Sequence, residues 1–133
     1  MRQVTVIGAG KIGATIASFL NGTGDYTVTL LDRDATHLAA LDLPAAITRR
    51  TVDIAADLSA DDLRGQFAVL SAAPFHLTRV IARAAAGAGV HYLDLTEAVA
   101  STRDVRALAA GASTAFIPQC GLAPGFVSLA AHD

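Results

Sequence analysis

Apolar and polar positions along the chain switch repeatedly between a strand-like and a helix-like pattern. Residues 3–7 form a short run rich in β-branched residues, as in a strand buried on both faces. From Lys11 to Leu20 the apolar residues fall at helical spacing, at Ile12, Ile16, Phe19 and Leu20. A second strand is predicted over Tyr26 to Leu31, closing at Asp32, then a short helix over Ala35 to Leu41 and a third strand over Ile47 to Val52, ending at Asp53. Leu58 to Leu63 reads as a short helix or turn, with Ser59 placed three residues before Asp62 as a cap. A fourth strand, Phe67 to Ala72, precedes a helix over His76 to Ala88 that carries Leu77, Val80, Ile81, Ala84 and Ala88 on one face and is stopped by Gly87 and Gly89. Val90 to Leu95 is the fifth strand and Ala98 to Ala110 a further helix. Ala115 to Cys120 is a sixth strand, which Pro118 confines to an edge.

Strict alternation of strand and helix, joined by right-handed crossovers, predicts an α/β fold: a Rossmann-type, doubly wound parallel sheet in three αβα layers, with strand order 3-2-1-4-5-6. Ligands of such sheets bind beyond the carboxyl ends of the strands, at the switch between strands 1 and 4. The residues that fit no packing pattern all fall on that edge: Gly8 to Gly13, Asp32, Asp53, Ala73 to His76, Leu95 to Glu97, and Gly121 to Gly125.

The chemistry of that edge is specific. Gly8-Ala9-Gly10-Lys11-Ile12-Gly13 is a GxGxxG turn between a strand and a helix. Gly8 permits the turn, Gly10 lets the backbone approach a pyrophosphate, and Gly13 lets the helix lie close to the strand; the helix N-terminus then faces the phosphates with unpaired N–H groups. Asp32 stands nineteen residues beyond Gly13, where a carboxylate accepts the ribose hydroxyls of an adenosine. A 2′-phosphate would lie beside that carboxylate, so NAD is expected over NADP; the neighbouring Arg33 is the one residue that could accommodate the phosphate. Asp53, at the end of the third strand, joins these as a cofactor-edge candidate.

Ser71 to His76 follows the fourth strand with small residues, at Ala73 and Pro74 among others, that would let a flat ring or ribose approach; the alternative is a tight turn in which Pro74 sets φ. No catalytic residue is assigned. His76 is the candidate proton carrier, against the commoner case of a partly exposed histidine at a helix start. Asp94, Thr96 and Glu97 end the fifth strand, with Thr96 or Glu97 read first as a helix cap and only second as a substrate contact. Cys120 is read as a small core residue. Asp61 and Asp62 are read as solvated loop carboxylates, and the scattered histidines give no metal-ligand spacing.

Composition narrows the class. With 133 residues, 10 basic and 12 acidic, the net charge of −2 provides no basic field for nucleic acid or an anionic membrane. One cysteine excludes an internal disulfide and suggests a reducing, cytoplasmic setting. Gly111 to Ala131 lacks any Asp, Glu, Lys or Arg, but the prolines and glycines inside it argue against a membrane helix. It is read as a buried strand and a loop expecting cover from a further domain. Residues 1–120 are accordingly expected to form the NAD(P)-binding domain, and residues 121–133 to begin the connection to a substrate domain.

Val6 to Gly13, Ala72 to Phe75, His91 to Thr96 and Pro118 to Gly125 together resemble the saccharopine dehydrogenase family, including its lysine 6-dehydrogenase-like members. The resemblance implies an oxidoreductase whose N-terminal domain holds a nicotinamide cofactor at Gly8, Gly10, Lys11, Ile12, Gly13 and Asp32, with Ala73 and Pro74 near the nicotinamide half. It implies hydride transfer at an amine or imine carbon of an amino acid such as lysine or saccharopine, with the amino acid held by the following domain; a homo-oligomer is also expected. The domain by itself is expected to be inactive. The alternative is a stand-alone NAD(H)-sensing module of the potassium-transport type, which has a similar length, glycine turn and acid.

Overall fold

In a computed structural model, residues 2–94 and 114–117 are described. Strands β1 (Arg2–Ile7), β2 (Tyr26–Asp32), β3 (Thr48–Thr51), β4 (Ala68–Ser71), β5 (His91–Asp94) and β6 (Phe116–Ile117) form one six-stranded sheet in the order β3-β2-β1-β4-β5-β6. Every pairing is parallel. This is the doubly wound order expected from the sequence, with β1 and β4 adjacent at the centre and β6 at an edge. The helix expected over Ala98 to Ala110, Cys120, and the Gly121–Gly125 loop lie outside the described residues.

Register sorts the side chains onto two faces, because alternate residues of a strand point to opposite sides. Val4, Val6, Val28, Leu30 and Ala68 share one face with Ile16 and Ala17 of α1 (Lys11–Gly22) and Leu38 of α2 (Ala35–Ala40). Ile7, Leu31, Val69 and Tyr92 share the other with Ile54 of α3 (Ile54–Asp57), Leu63 of α4 (Ala60–Leu63), and Ile81, Ala82, Ala84 and Ala85 of α5 (Thr78–Ala88). The three layers follow from those two clusters. Each fully buried aliphatic side chain contributes about 1.5–3 kcal/mol of transfer free energy.

Several local details differ from the sequence reading. The face of α1 that is buried runs through Gly13, Ile16 and Ala17, while Ile12 and Phe19 are 48% and 49% exposed. A glycine on the sheet side draws the helix in so closely that only a narrow stripe is covered. Gly87 does not stop α5 but lies within it, where a Cβ would come 3.1 Å from the Cβ of Ala60 and hold α4 away. Gly89 ends the helix, with φ of 69° and its N–H bonded to the carbonyls of Ala85 and Ala86. A 3-10 turn, Phe75–Leu77, precedes α5, so His76 sits in that turn and not in the first turn of the α-helix.

The segment after β3 holds two one-turn helices where one was expected. Asp53 caps α3 by accepting from the Ala56 N–H, and Ser59 and Asp62 form a capping box on α4. Asp61 and Asp62 are therefore helical. Asp61 is a solvated carboxylate paired with Arg64 at 3.2 Å. Asp62 is not, because its side chain is only 19% exposed and is held at 2.8 Å by Arg50. Among the described residues no helix is long and apolar enough to cross a membrane.

Candidate cofactor site

The glycine turn joins the two central strands. Beyond Ile7 the Gly8 N–H bonds to the Leu31 carbonyl at 2.8 Å, and the Ala72 N–H bonds to the Ile7 carbonyl at 2.8 Å, so the end of β1 is clasped between β2 and β4. Gly8 has φ of +100°, and a Cβ there would lie 2.9 Å from the backbone of Ala72 and Ala73. A Cβ on Gly13 would lie 1.7 Å from the Gly8 carbonyl oxygen. These two glycines are required by the chain's own backbone.

Gly10 is different. It is exposed, its φ and ψ of −67° and −175° suit any residue, and among the described residues nothing lies within 4 Å of where its Cβ would be. It stands at the N-cap of α1, which has no side-chain cap and no acidic residue in its first turn. In α2, α3 and α4 that place is filled by Asp34, Asp53 and Ser59. The first N–H groups of α1, at Lys11, Ile12 and Gly13, therefore point out of the sheet edge with the positive end of the helix dipole, an arrangement that receives an anion.

Asp32 closes β2 half-buried, in register with Thr51 of β3, and its carbonyl accepts from the Val52 N–H at 2.9 Å. Lys11 and Arg33 are both exposed, and among the described residues neither forms an ion pair. Asp34 accepts from the His37 N–H at 3.0 Å, and the His37 ring Nε2 lies 2.6 Å from the carbonyl of Ala9 in the glycine turn. The sequence reading missed His37 because its significance depends on a contact across 28 positions.

Of the remaining candidates, Ala73 is half-buried against the turn at Gly8 and Pro74 is exposed, its carbonyl accepting from the Leu77 N–H at 3.0 Å. Asp53 is exposed, and its carboxylate caps α3 by accepting from the Ala56 N–H at 3.3 Å. His76 is exposed. The β1–β4–β5 register aligns Ile7, Ser71 and Asp94. Asp94 is 2% exposed and accepts a hydrogen bond from the Tyr92 hydroxyl. Burial pushes the Tyr92 phenol well above its ordinary range, the Asp94 hydrogen bond and charge add to that, and a hydrogen bond with the buried Thr78 opposes it. The i, i+2 spacing that puts both groups on one strand face was visible in the sequence. Thr96 and Glu97 lie outside the described residues, and among the described residues no group of three His, Cys, Asp or Glu could hold a metal.

No curated protein matches the sequence. Among solved structures, saccharopine dehydrogenase (L-Glu forming) from Saccharomyces cerevisiae superposes with a TM-score of 0.81 at 20% identity, covering 98% of this chain and 30% of the yeast chain. UDP-glucuronic acid 4-epimerase from Bacillus cereus, in complex with NAD, gives a TM-score of 0.70 at 14% identity, covering 87% of this chain and 54% of that one. Prephenate dehydrogenase from A. aeolicus, with NAD+ bound, gives 0.67 at 20% identity, covering 89% and 41%. At these identities the likeness is one of fold, and this chain spans less than a third of the yeast enzyme. The family model described as the saccharopine dehydrogenase NADP binding domain matches residues 4–117, and the chain belongs to that family.

Proposed function

We propose that this chain is the nicotinamide-cofactor-binding domain of a saccharopine dehydrogenase-like oxidoreductase acting on the amine or imine carbon of an amino acid of the lysine or saccharopine type. Gly10 carries the reading. Neither its backbone angles nor its neighbours among the described residues demand a glycine, yet it stands at the open N-terminus of α1, where a Cβ would occupy the space a pyrophosphate needs. The residues present fit a dinucleotide: N–H groups of Lys11, Ile12 and Gly13 for the pyrophosphate, Asp32 for the adenosine ribose, and the small Ala72–Ala73 edge of β4 beside Gly8 for the nicotinamide half. When bound, that cofactor supplies the hydride donor or acceptor for the amine–imine interconversion.

The family description names NADP. We propose NAD as the preferred cofactor, because the half-buried Asp32 would meet a 2′-phosphate as a like charge, with the exposed, neighbouring Arg33 as the counter-charge that opposes this preference. Since the chain covers 30% of the yeast relative, the amino-acid subsite is assigned to residues outside this domain. Calorimetric titration of the chain with NAD+, NADP+ and ADP-ribose tests the reading. Saturable one-to-one binding of NAD+ and ADP-ribose is expected, and binding of none of the three overturns it.

A further inference from the structure

We propose that His37 is a positioning residue for the dinucleotide: its ring N–H holds the Ala9–Gly10 peptide and so sets the glycine turn before a ligand arrives. The proposal rests on the cofactor reading above. Ala9 O is an acceptor only, so the His37 Nε2 at 2.6 Å carries the hydrogen, in the neutral ring as in the charged one. The residue is placed for this by α2, whose N-cap Asp34 fixes the His37 backbone N–H one turn away.

The held peptide is the one that matters. Ala9 is fully buried, in the same apolar cluster as Leu38 of α2, so the loop is anchored on its N-terminal side. Gly10 has no side chain and no neighbour within 4 Å of its Cβ position, so rotation of the Ala9–Gly10 peptide meets no steric barrier from that side. In a planar trans peptide the C=O and the following N–H point in opposite directions. Drawing the Ala9 carbonyl toward α2 therefore aims the Gly10 N–H away from α2 and fixes the entry into the first turn of α1. The same contact ties the glycine turn to the segment that begins with Asp32, so the pyrophosphate and ribose ends of the site are set relative to each other. Ordering achieved before binding is not charged against affinity at binding.

The test compares the chain with its His37→Ala and His37→Gln variants, since the glutamine amide nitrogen reaches about as far as Nε2 and donates without charge. Affinity for NAD+ and for ADP-ribose is measured by calorimetry, and amide hydrogen exchange is followed without ligand at Gly8 and Ala14, whose N–H groups are bonded to the Leu31 and Gly10 carbonyls. We expect His37→Ala to raise Kd about three- to tenfold, equally for both ligands, the size of one hydrogen bond. We also expect faster exchange at Gly8 and Ala14, a Tm lowered by no more than about 6 °C, and recovery of Kd to within about twofold in His37→Gln. An Ala variant that binds as tightly as the parent, or a Gln variant as weak as the Ala variant, overturns the proposal. If the parent binds neither ligand, the cofactor reading fails first, and the exchange comparison still reports whether His37 restrains the turn.

Discussion

Gly13 and Gly8 are packed against each other so closely that a single methyl group on Gly13 would sit 1.7 Å from the Gly8 carbonyl oxygen. That contact, between the first turn of α1 and the end of β1, is backbone against backbone, and neither partner can move without breaking the clasp between β2 and β4. Gly13→Ala is therefore expected to destabilise the fold by about 3 kcal/mol or more, as overpacking against a fixed backbone does. Gly10→Ala should leave the denaturation midpoint nearly unchanged while weakening NAD+ binding by about tenfold or more. Urea melts and calorimetry on the two variants separate these outcomes; a Gly10→Ala protein that binds normally would remove the main support for a phosphate site.

Cofactor choice depends on one carboxylate. Asp32, half-buried at the end of β2, should favour NAD(H) over NADP(H) by about tenfold or more, since like charges placed together cost on the order of several kcal/mol. Asp32→Asn should narrow that ratio, chiefly by improving NADP(H) affinity, with the exposed Arg33 then free to act on the phosphate. Paired titrations of parent and variant decide it, and tighter NADP(H) binding by the parent would show that Arg33 already prevails.

Acid stability should report on the segment that follows β3. The Ser59 N–H holds the Asp62 carboxyl below its ordinary value of 3.8, with Arg50 reinforcing the effect and partial burial opposing it. A carboxyl lowered in the fold contributes stability that is fully present above the unfolded value and is lost as pH falls through the folded one. Asp62→Ala is expected to cost about 1 kcal/mol at pH 7. The difference from the parent should shrink as pH falls below 3.8 and through the lowered folded value, and a pH-independent difference would assign the loss to packing.

Alkaline behaviour should report on Tyr92. Its phenol is raised well above 10.0, foremost by burial and then by Asp94, so the stability tied to the protonated hydroxyl is present below the unfolded value and lost as pH rises above it. In a Tyr26→Phe background Tyr92 is the one tyrosine left. Tyrosinate absorbance should then appear only together with loss of helical circular dichroism. Tyr92→Phe should cost about 1–3 kcal/mol by leaving the buried Asp94 carboxylate without that donor. Ionisation of Tyr92 in the folded chain would contradict this account.

By itself the sequence determined the alternation of strands and helices, the strand order and the glycine-and-acid signature, because each rests on a local rule: a periodicity, a turn that tolerates only glycine, a handed crossover. The capping box at Ser59 and Asp62 was legible for the same reason. Tertiary structure alone decided which side of α1 is covered, since apolar spacing admits Ile12 and Phe19 as readily as Ala17 until Gly13 sets the distance to β1. It also decided that Gly87 serves contact with Ala60 and not termination, that Asp53 caps a helix, and that Asp62 is held by Arg50. The His37 contact with Ala9 belongs to the same class: the two residues are 28 positions apart, and only the parallel pairing of β1 with β2 brings α2 beside the glycine turn.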